Sequence, residues 1–193
     1  MLDLGAGNGW LSNRLAGCGH IVCAVDLVSN DFDGLGCRRF YETDFTSVQA
    51  EFDRLPFPTG NADLLIFNAS LHYSVDFRAS LVEALRLLSV TQTSKLVVLD
   101  SPLYHDAESG AQMVIERERL FVQRFGFPSN ALPSENYLTH ARLDDLAVAL
   151  GLKWRFFTPF YGLRWALQPL LAKIRASREP ARFHVIVGSR ANP

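Results

Sequence analysis

Cysteine is scarce in this chain. Cys18, Cys23 and Cys37 are an odd number with neither C-x-x-C nor Cys/His spacing, so neither a disulfide framework nor a metal site is expected. Reduced thiols fit a cytoplasmic protein. No apolar run reaches the roughly 18 residues of a membrane span. An excess of one charge is missing too: the formal net charge is −1, and nucleic-acid partners, which call for a basic face, are not expected. The chain opens on a motif and not on a charged-then-apolar leader. No repeat, low-complexity tract or linker divides it, so residues 1–193 are expected to form a single domain that acts on a small molecule. With 48% apolar and 20% charged residues, that domain can bury a sizeable core.

Apolar runs alternate with amphipathic stretches, the pattern of a mostly parallel sheet covered on both faces. Residues 1–4, 21–26, 45–50, 63–68 and 95–100 read as strands, and most end on a polar residue. A helix starts at 11–16. The clearest one covers 77–88, where Leu81, Ala84, Leu85 and Leu88 recur at helical spacing. Further helices are expected at about 108–125 and at 143–150, the latter stopped by Gly151. Two final strands fall at 153–160 and 183–188. Residues 126–135, rich in Pro, Ser and Asn, read as a surface loop near the site.

The stretch Asp3-Leu4-Gly5-Ala6-Gly7-Asn8-Gly9 joins a strand to a helix. Glycines serve where backbone turns tightly and must approach a ligand without a Cβ, and the helix behind them offers unpaired N–H groups and a positive dipole end. A dinucleotide fingerprint would put its third glycine at position 10, which is Trp10. The blander reading is a turn that only lets strand and helix pack. Asp26 closes the second strand, where a carboxylate suits the two hydroxyls of a ribose. NAD enzymes use the same device, and so does a simple strand-end cap.

These features, with Glu51-Phe52-Asp53-Arg54-Leu55-Pro56-Phe57 and the strand ending Phe67-Asn68, resemble the class I S-adenosylmethionine-dependent methyltransferases. The branch is that of methyltransferase type 11 and the quinone-biosynthesis C-methyltransferases. The resemblance runs motif by motif from residue 1 to about 100 and beyond that only in layout. It implies a doubly wound, Rossmann-like α/β fold with seven strands, mostly parallel, the last antiparallel. S-adenosyl-L-methionine would be the cofactor. Asp3 would orient its ammonium group, Gly5, Gly7 and Gly9 would pack on the sulfonium side, and Asp26 would take the ribose. Aligned on Leu55-Pro56-Phe57, Glu51 meets the adenine amino group and the Phe52 backbone donates to the ring, with Asp53 as the alternative acid. Asn68 completes the cofactor set.

Methyl transfer is an in-line displacement that needs positioning first, and a base only if the nucleophile must lose a proton. His72 and Tyr73 after the fourth strand, and Asp100, Tyr104 and His105 after the fifth, stand at the sheet edge where ligands bind. His72 is the first candidate as base or substrate ligand, since histidine titrates near neutrality. His20 and His184 read as structural. Residues 161–177 mix apolar with basic side chains and read as a packed helix with a solvated basic face, with a pocket cover or peripheral membrane contact as alternatives. A rival to methyl transfer is a non-catalytic cofactor-binding or regulatory module. An NAD-dependent oxidoreductase is disfavoured by Trp10 and by Leu55-Pro56-Phe57. The first strand starts two residues before Asp3 and so reads as truncated, with an N-terminal arm missing.

Overall fold

In the computed structural model, residues 1–129, 133–174 and 178–191 are described. The N-terminal half runs β1 (Leu2–Leu4), α1 (Trp10–Gly17), β2 (Cys23–Asp26), β3 (Thr46–Gln49), β4 (Leu64–Asn68), α2 (Phe77–Leu87) and β5 (Lys95–Leu99). It continues through β6 (Leu103–Tyr104), α3 (Ala107–Phe125), β7 (Leu138–Thr139), α4 (His140–Leu150), β8 (Leu152–Phe157), α5 (Leu163–Ile174) and β9 (Val185–Arg190). Seven strands form one sheet in the order β3-β2-β1-β4-β5-β9-β8. The first five are parallel, and β9 enters antiparallel between β5 and β8. This is the expected Rossmann-like α/β sheet, its order reversing between β1 and β4.

Alternation along β1 decides what each face receives. Leu2 and Leu4 point to the main core, where Leu65, Phe67, Leu96 and Val98 of the sheet meet Phe77, Leu81 and Leu85 of α2. Asp3 points to the other face, under Ser12 of α1. Fully burying one such leucine stabilises by about 1.5–3 kcal/mol, so the central strands are the firm part of the frame. The helix starts follow from short polar side chains: Asp76 accepts from the Arg78 and Ala79 N–H groups, and Asp106 from those of Glu108 and Ser109. Thr139 caps α4 by accepting from Arg142 N–H at 3.1 Å, which starts that helix three residues ahead of its apolar pattern. Gly126 and Gly151 end α3 and α4 in the left-handed conformation.

Several boundaries differ from the sequence pattern. The eighth strand stops at Phe157, ahead of Pro159, which has no N–H to donate. The ninth lies two residues later than its apolar run, in register with β8 from Leu152–Arg190 to Phe157–Val185. A second sheet of two residues per strand, β6 with β7, is too short to have a period. Between β2 and β3 the described chain makes a 3-10 turn at Leu35–Phe40. Among the described residues no helix is long and apolar enough to cross a membrane, and no group of His, Cys, Asp or Glu is arranged to hold a metal ion.

Candidate active site

The turn after β1 is built from left-handed backbone: Gly5, Gly7 and Gly9 have φ of +75°, +53° and +79°. Gly5 is the tightest of them. A Cβ there would stand 2.3 Å from Ser70 Cβ and 3.0 Å from the Phe52 ring, so the backbone leaving β1 runs directly against Ser70, just beyond the end of β4, and the Phe52 ring. The Gly5 and Ala6 N–H groups donate to the Val25 carbonyl at 2.8 and 3.0 Å, which ties the turn to β2. Gly9 then caps α1, and Trp10 opens the helix with its side chain 57% exposed.

The carboxylate of Asp26 accepts from Gly7 N–H at 2.7 Å and from Val28 N–H at 2.8 Å. The strand-end acid thereby holds the glycine turn in place. One lone pair on each oxygen is engaged this way, and carboxylate oxygens have two each.

Asp3 is buried, and Ser12 Oγ donates to its Oδ2 at 2.8 Å. Its Oδ1 has no hydrogen-bond partner among the described residues. Burial pushes the Asp3 pKa up, the Ser12 hydroxyl and backbone N–H oppose this, and the Asp26 charge adds to the rise. A buried carboxylate oxygen without a donor costs about 1–3 kcal/mol, which a cationic or N–H-bearing ligand beside it would offset.

On the neighbouring loop Glu51 is exposed, Phe52 is half-buried and Asp53 is exposed. The Phe52 ring stands edge-on to Phe67 of β4 with centroids 5.5 Å apart. Two residues that the sequence pattern did not single out fix this loop. Glu83 of α2 accepts from Leu55 N–H at 2.8 Å, while Arg86 donates to the Leu55 and Phe57 carbonyls at 3.1 and 2.9 Å. Glu83 and Arg86 also pair with each other at 2.7 Å, which pulls the Glu83 pKa down. Their helical i, i+3 spacing was the available signal.

The C-terminal ends of β4 and β5 open a second region. Asn68 ends β4, and the next residue, Ala69, is left-handed at φ +52°; Asp100 beyond β5 has φ +47°. Such backbone is strained for non-glycine residues and concentrates at ligand sites. From these ends a cleft of about 480 Å³ extends, walled by His72, Tyr73, Asp100, Tyr104, Arg117 and Asn136 and roofed by Trp165 and Gln168 of α5.

His72 lies in a 3-10 turn (Leu71–Tyr73), with Nδ1 3.2 Å from Ser101 Oγ. Burial, helped by the positive charge of Arg117, pushes its pKa from 6.5 down to about 4. The imidazole is therefore neutral at physiological pH and does not titrate near neutrality as the sequence suggested. Arg117 donates to Asn136 Oδ1 at 2.6 Å, and Asn136 N–H donates to the His72 carbonyl at 2.8 Å. The cleft is lined by Asn136, one residue beyond the loop expected at 126–135, and by none of that loop's described residues; residues 130–132 lie outside the described residues. His105 is not brought to the cleft. It stacks on His140 at 4.5 Å.

Residues 2–91 match the family model described as a methyltransferase domain. No curated protein sequence matches the chain. Among solved structures, the YcgJ protein of Bacillus subtilis superposes with a TM-score of 0.70 at 14% identity, covering 100% of this chain and 92% of that one. An S-adenosylmethionine-dependent methyltransferase of Mesorhizobium loti does so with 0.66 at 18% identity, covering 98% and 89%. One from Methanosarcina mazei gives 0.58 at 14% identity, covering 99% and 92%. At these identities the structures speak for the fold, and the family model speaks for the chemistry. Residues 2–91 thus match the methyltransferase domain family on a sheet shared with S-adenosylmethionine-dependent methyltransferases, and S-adenosylmethionine is the cofactor that this match and the fold imply.

Proposed function

We propose that the chain methylates a small-molecule acceptor held in the cleft between the ends of β4 and β5 and the roof of α5. Asp3, Gly5, Gly7, Gly9, Asp26, Glu51, Phe52 and Asn68 would hold the cofactor. The observation that carries this reading is the buried Asp3 Oδ1, without a hydrogen-bond partner among the described residues, beneath a turn of three left-handed glycines. A bound cation gives that oxygen a partner, and the missing Cβ atoms leave the turn's backbone open to it. The carboxylate of Asp26, held by Gly7 and Val28, keeps lone pairs for ribose hydroxyls. The exposed Glu51 carboxylate is free to accept from an adenine amino group.

The cofactor supplies an electrophilic methyl carbon on sulfur. The chain's own residues orient the acceptor and exclude water. With Nδ1–H donating to Ser101 Oγ, neutral His72 would present Nε2 as an acceptor and take the nucleophile's proton as a substrate ligand or weak base. Trp165 over the cleft limits access of solvent.

The Leu55-Pro56-Phe57 block supports the branch that includes quinone-biosynthesis C-methyltransferases. Strands from residues 2 to 190 share one sheet, which supports a single domain over 1–193. Free Cys18, Cys23 and Cys37 support a cytoplasmic location.

Calorimetric titration tests the proposal. S-adenosylmethionine and its demethylated product should bind at one competitive site and NAD should not. Folded protein that takes up neither ligand, or that prefers NAD, refutes it.

A further inference from the structure

Helix α5 is left with an apolar face turned to water. Its inner face carries Trp165 and Gln168, which roof the cleft, and Pro169, which lines a second cavity together with Phe183. On the opposite side Leu163, Leu167, Leu170, Leu171 and Ile174 are 74%, 50%, 56%, 40% and 72% exposed. At 3.6 residues per turn these five fall within an arc of about 100°. Exposed Phe160 and Tyr161 lead into the helix. The solvent-facing stripe is thus aliphatic and not basic, and contiguous apolar surface of this kind marks an interaction site.

Charge indicates what covers it. Between Asp145 and Glu179 the sequence has no acidic residue, yet it carries Lys153, Arg155, Arg164, Lys173, Arg175 and Arg178, in a chain whose overall formal charge is −1. Of these, Arg178 is committed to Glu116 at 2.7 Å. Arg164 is exposed and sits at the border of the aliphatic arc. Protein interfaces centre on Trp, Tyr and Arg, with Leu under-represented. A leucine and isoleucine stripe bordered by the exposed Arg164, in a stretch of sequence with basic and no acidic residues, is instead the pattern of a helix lying in the headgroup layer of an anionic bilayer.

We infer that the outer face of α5 docks the protein on an anionic lipid surface, with the helix axis in the membrane plane and the apolar arc buried. The inference does not depend on the identity of the methyl acceptor. Docking brings the roofed end of the cleft to the lipid boundary, because the same helix forms both surfaces.

Vesicle co-sedimentation tests it, with phosphatidylcholine alone against phosphatidylcholine containing about a third phosphatidylglycerol. The full chain should partition onto the anionic vesicles, weaken with added salt and bind the neutral ones poorly. The double variant Leu167→Gln/Leu171→Gln should lose about tenfold or more in partitioning, and Arg164→Gln about fivefold. Neither change touches a cleft-lining residue, so melting temperature and affinity for S-adenosylmethionine should stay as in the parent. Equal partitioning of parent and double variant overturns the inference, as does an absence of binding to anionic vesicles. Sedimentation velocity without lipid gives a third outcome against it: a dimer that the double variant dissociates would make this face a contact between copies.

Discussion

His72 provides a quantitative test of how the cleft is built. Its pKa falls from 6.5 to about 4 because the ring is buried beside Arg117. Between these values the unfolded chain binds a proton at His72 and the native state does not, so stability falls as pH falls through the window. At about 1.4 kcal/mol per pH unit, the contribution lost between pH 6.5 and 4 is about 3 kcal/mol, an upper figure for a ring at a cleft wall. His140 and His184 are also lowered, chiefly by burial, and act with the same sign. Asp3 is raised and acts oppositely: it costs stability as pH rises from 3.8 through its native value. Comparing the parent with His72→Asn cancels these shared contributions. Asparagine can keep a bond to Ser101 and does not titrate. Urea denaturation across the window should give the variant a shallower acid loss, by about 3 kcal/mol, while the two proteins converge toward a constant difference above pH 6.5. Parallel curves throughout would mean that His72 is protonated in the native state near its ordinary pKa, and the account of a neutral ring would be wrong.

Replacing Asp26 with Ala should weaken S-adenosylmethionine binding by about 1.5–3 kcal/mol, measured by calorimetry on protein shown to be folded; an unchanged dissociation constant refutes the ribose role. Glu51→Ala should weaken cofactor binding more than Asp53→Ala, and the reverse order would move the adenine-contacting acid by two residues. Gly5→Ala should destabilise by more than about 2 kcal/mol, since left-handed strain adds to a collision with Ser70 Cβ. Gly19→Ala, at φ +87° with nothing within 4 Å of the added Cβ, should cost about 1 kcal/mol, and equal melting temperatures for the two would contradict the close approach.

The sheet was legible because its strands carry their own signal. The run Leu64–Asn68 is apolar on both faces, which only a central strand requires, and the Leu81, Ala84, Leu85 and Leu88 spacing gives α2 directly. Boundaries were less legible where a single polar contact or a register decides them. Thr139 starts α4 through one hydroxyl, and pairing with β8 carries β9 two residues past its apolar run. Neither leaves a period in the sequence.

The two halves of the candidate site differ for a related reason. The half assigned to the cofactor is specified by short local motifs, each readable by itself: Asp3 with glycines 5, 7 and 9 in one turn, Asp26 at the adjoining strand end, Glu51-Phe52 ahead of Leu55-Pro56-Phe57, and Asn68 closing β4. The acceptor half is made of side chains from segments that only the fold brings together. Arg117 comes from the middle of α3, Asn136 from the loop before β7 and Trp165 from α5, and no local spacing relates them. His72 was visible as a residue, but its protonation state was not, because burial and Arg117, 45 positions away in the sequence, set it. Backbone-built recognition can therefore be shared across a family by a short motif. Recognition of the acceptor is free to change one distant side chain at a time, and on the proposed function Arg117, Asn136 and Trp165, which line the cleft, would carry it in this chain.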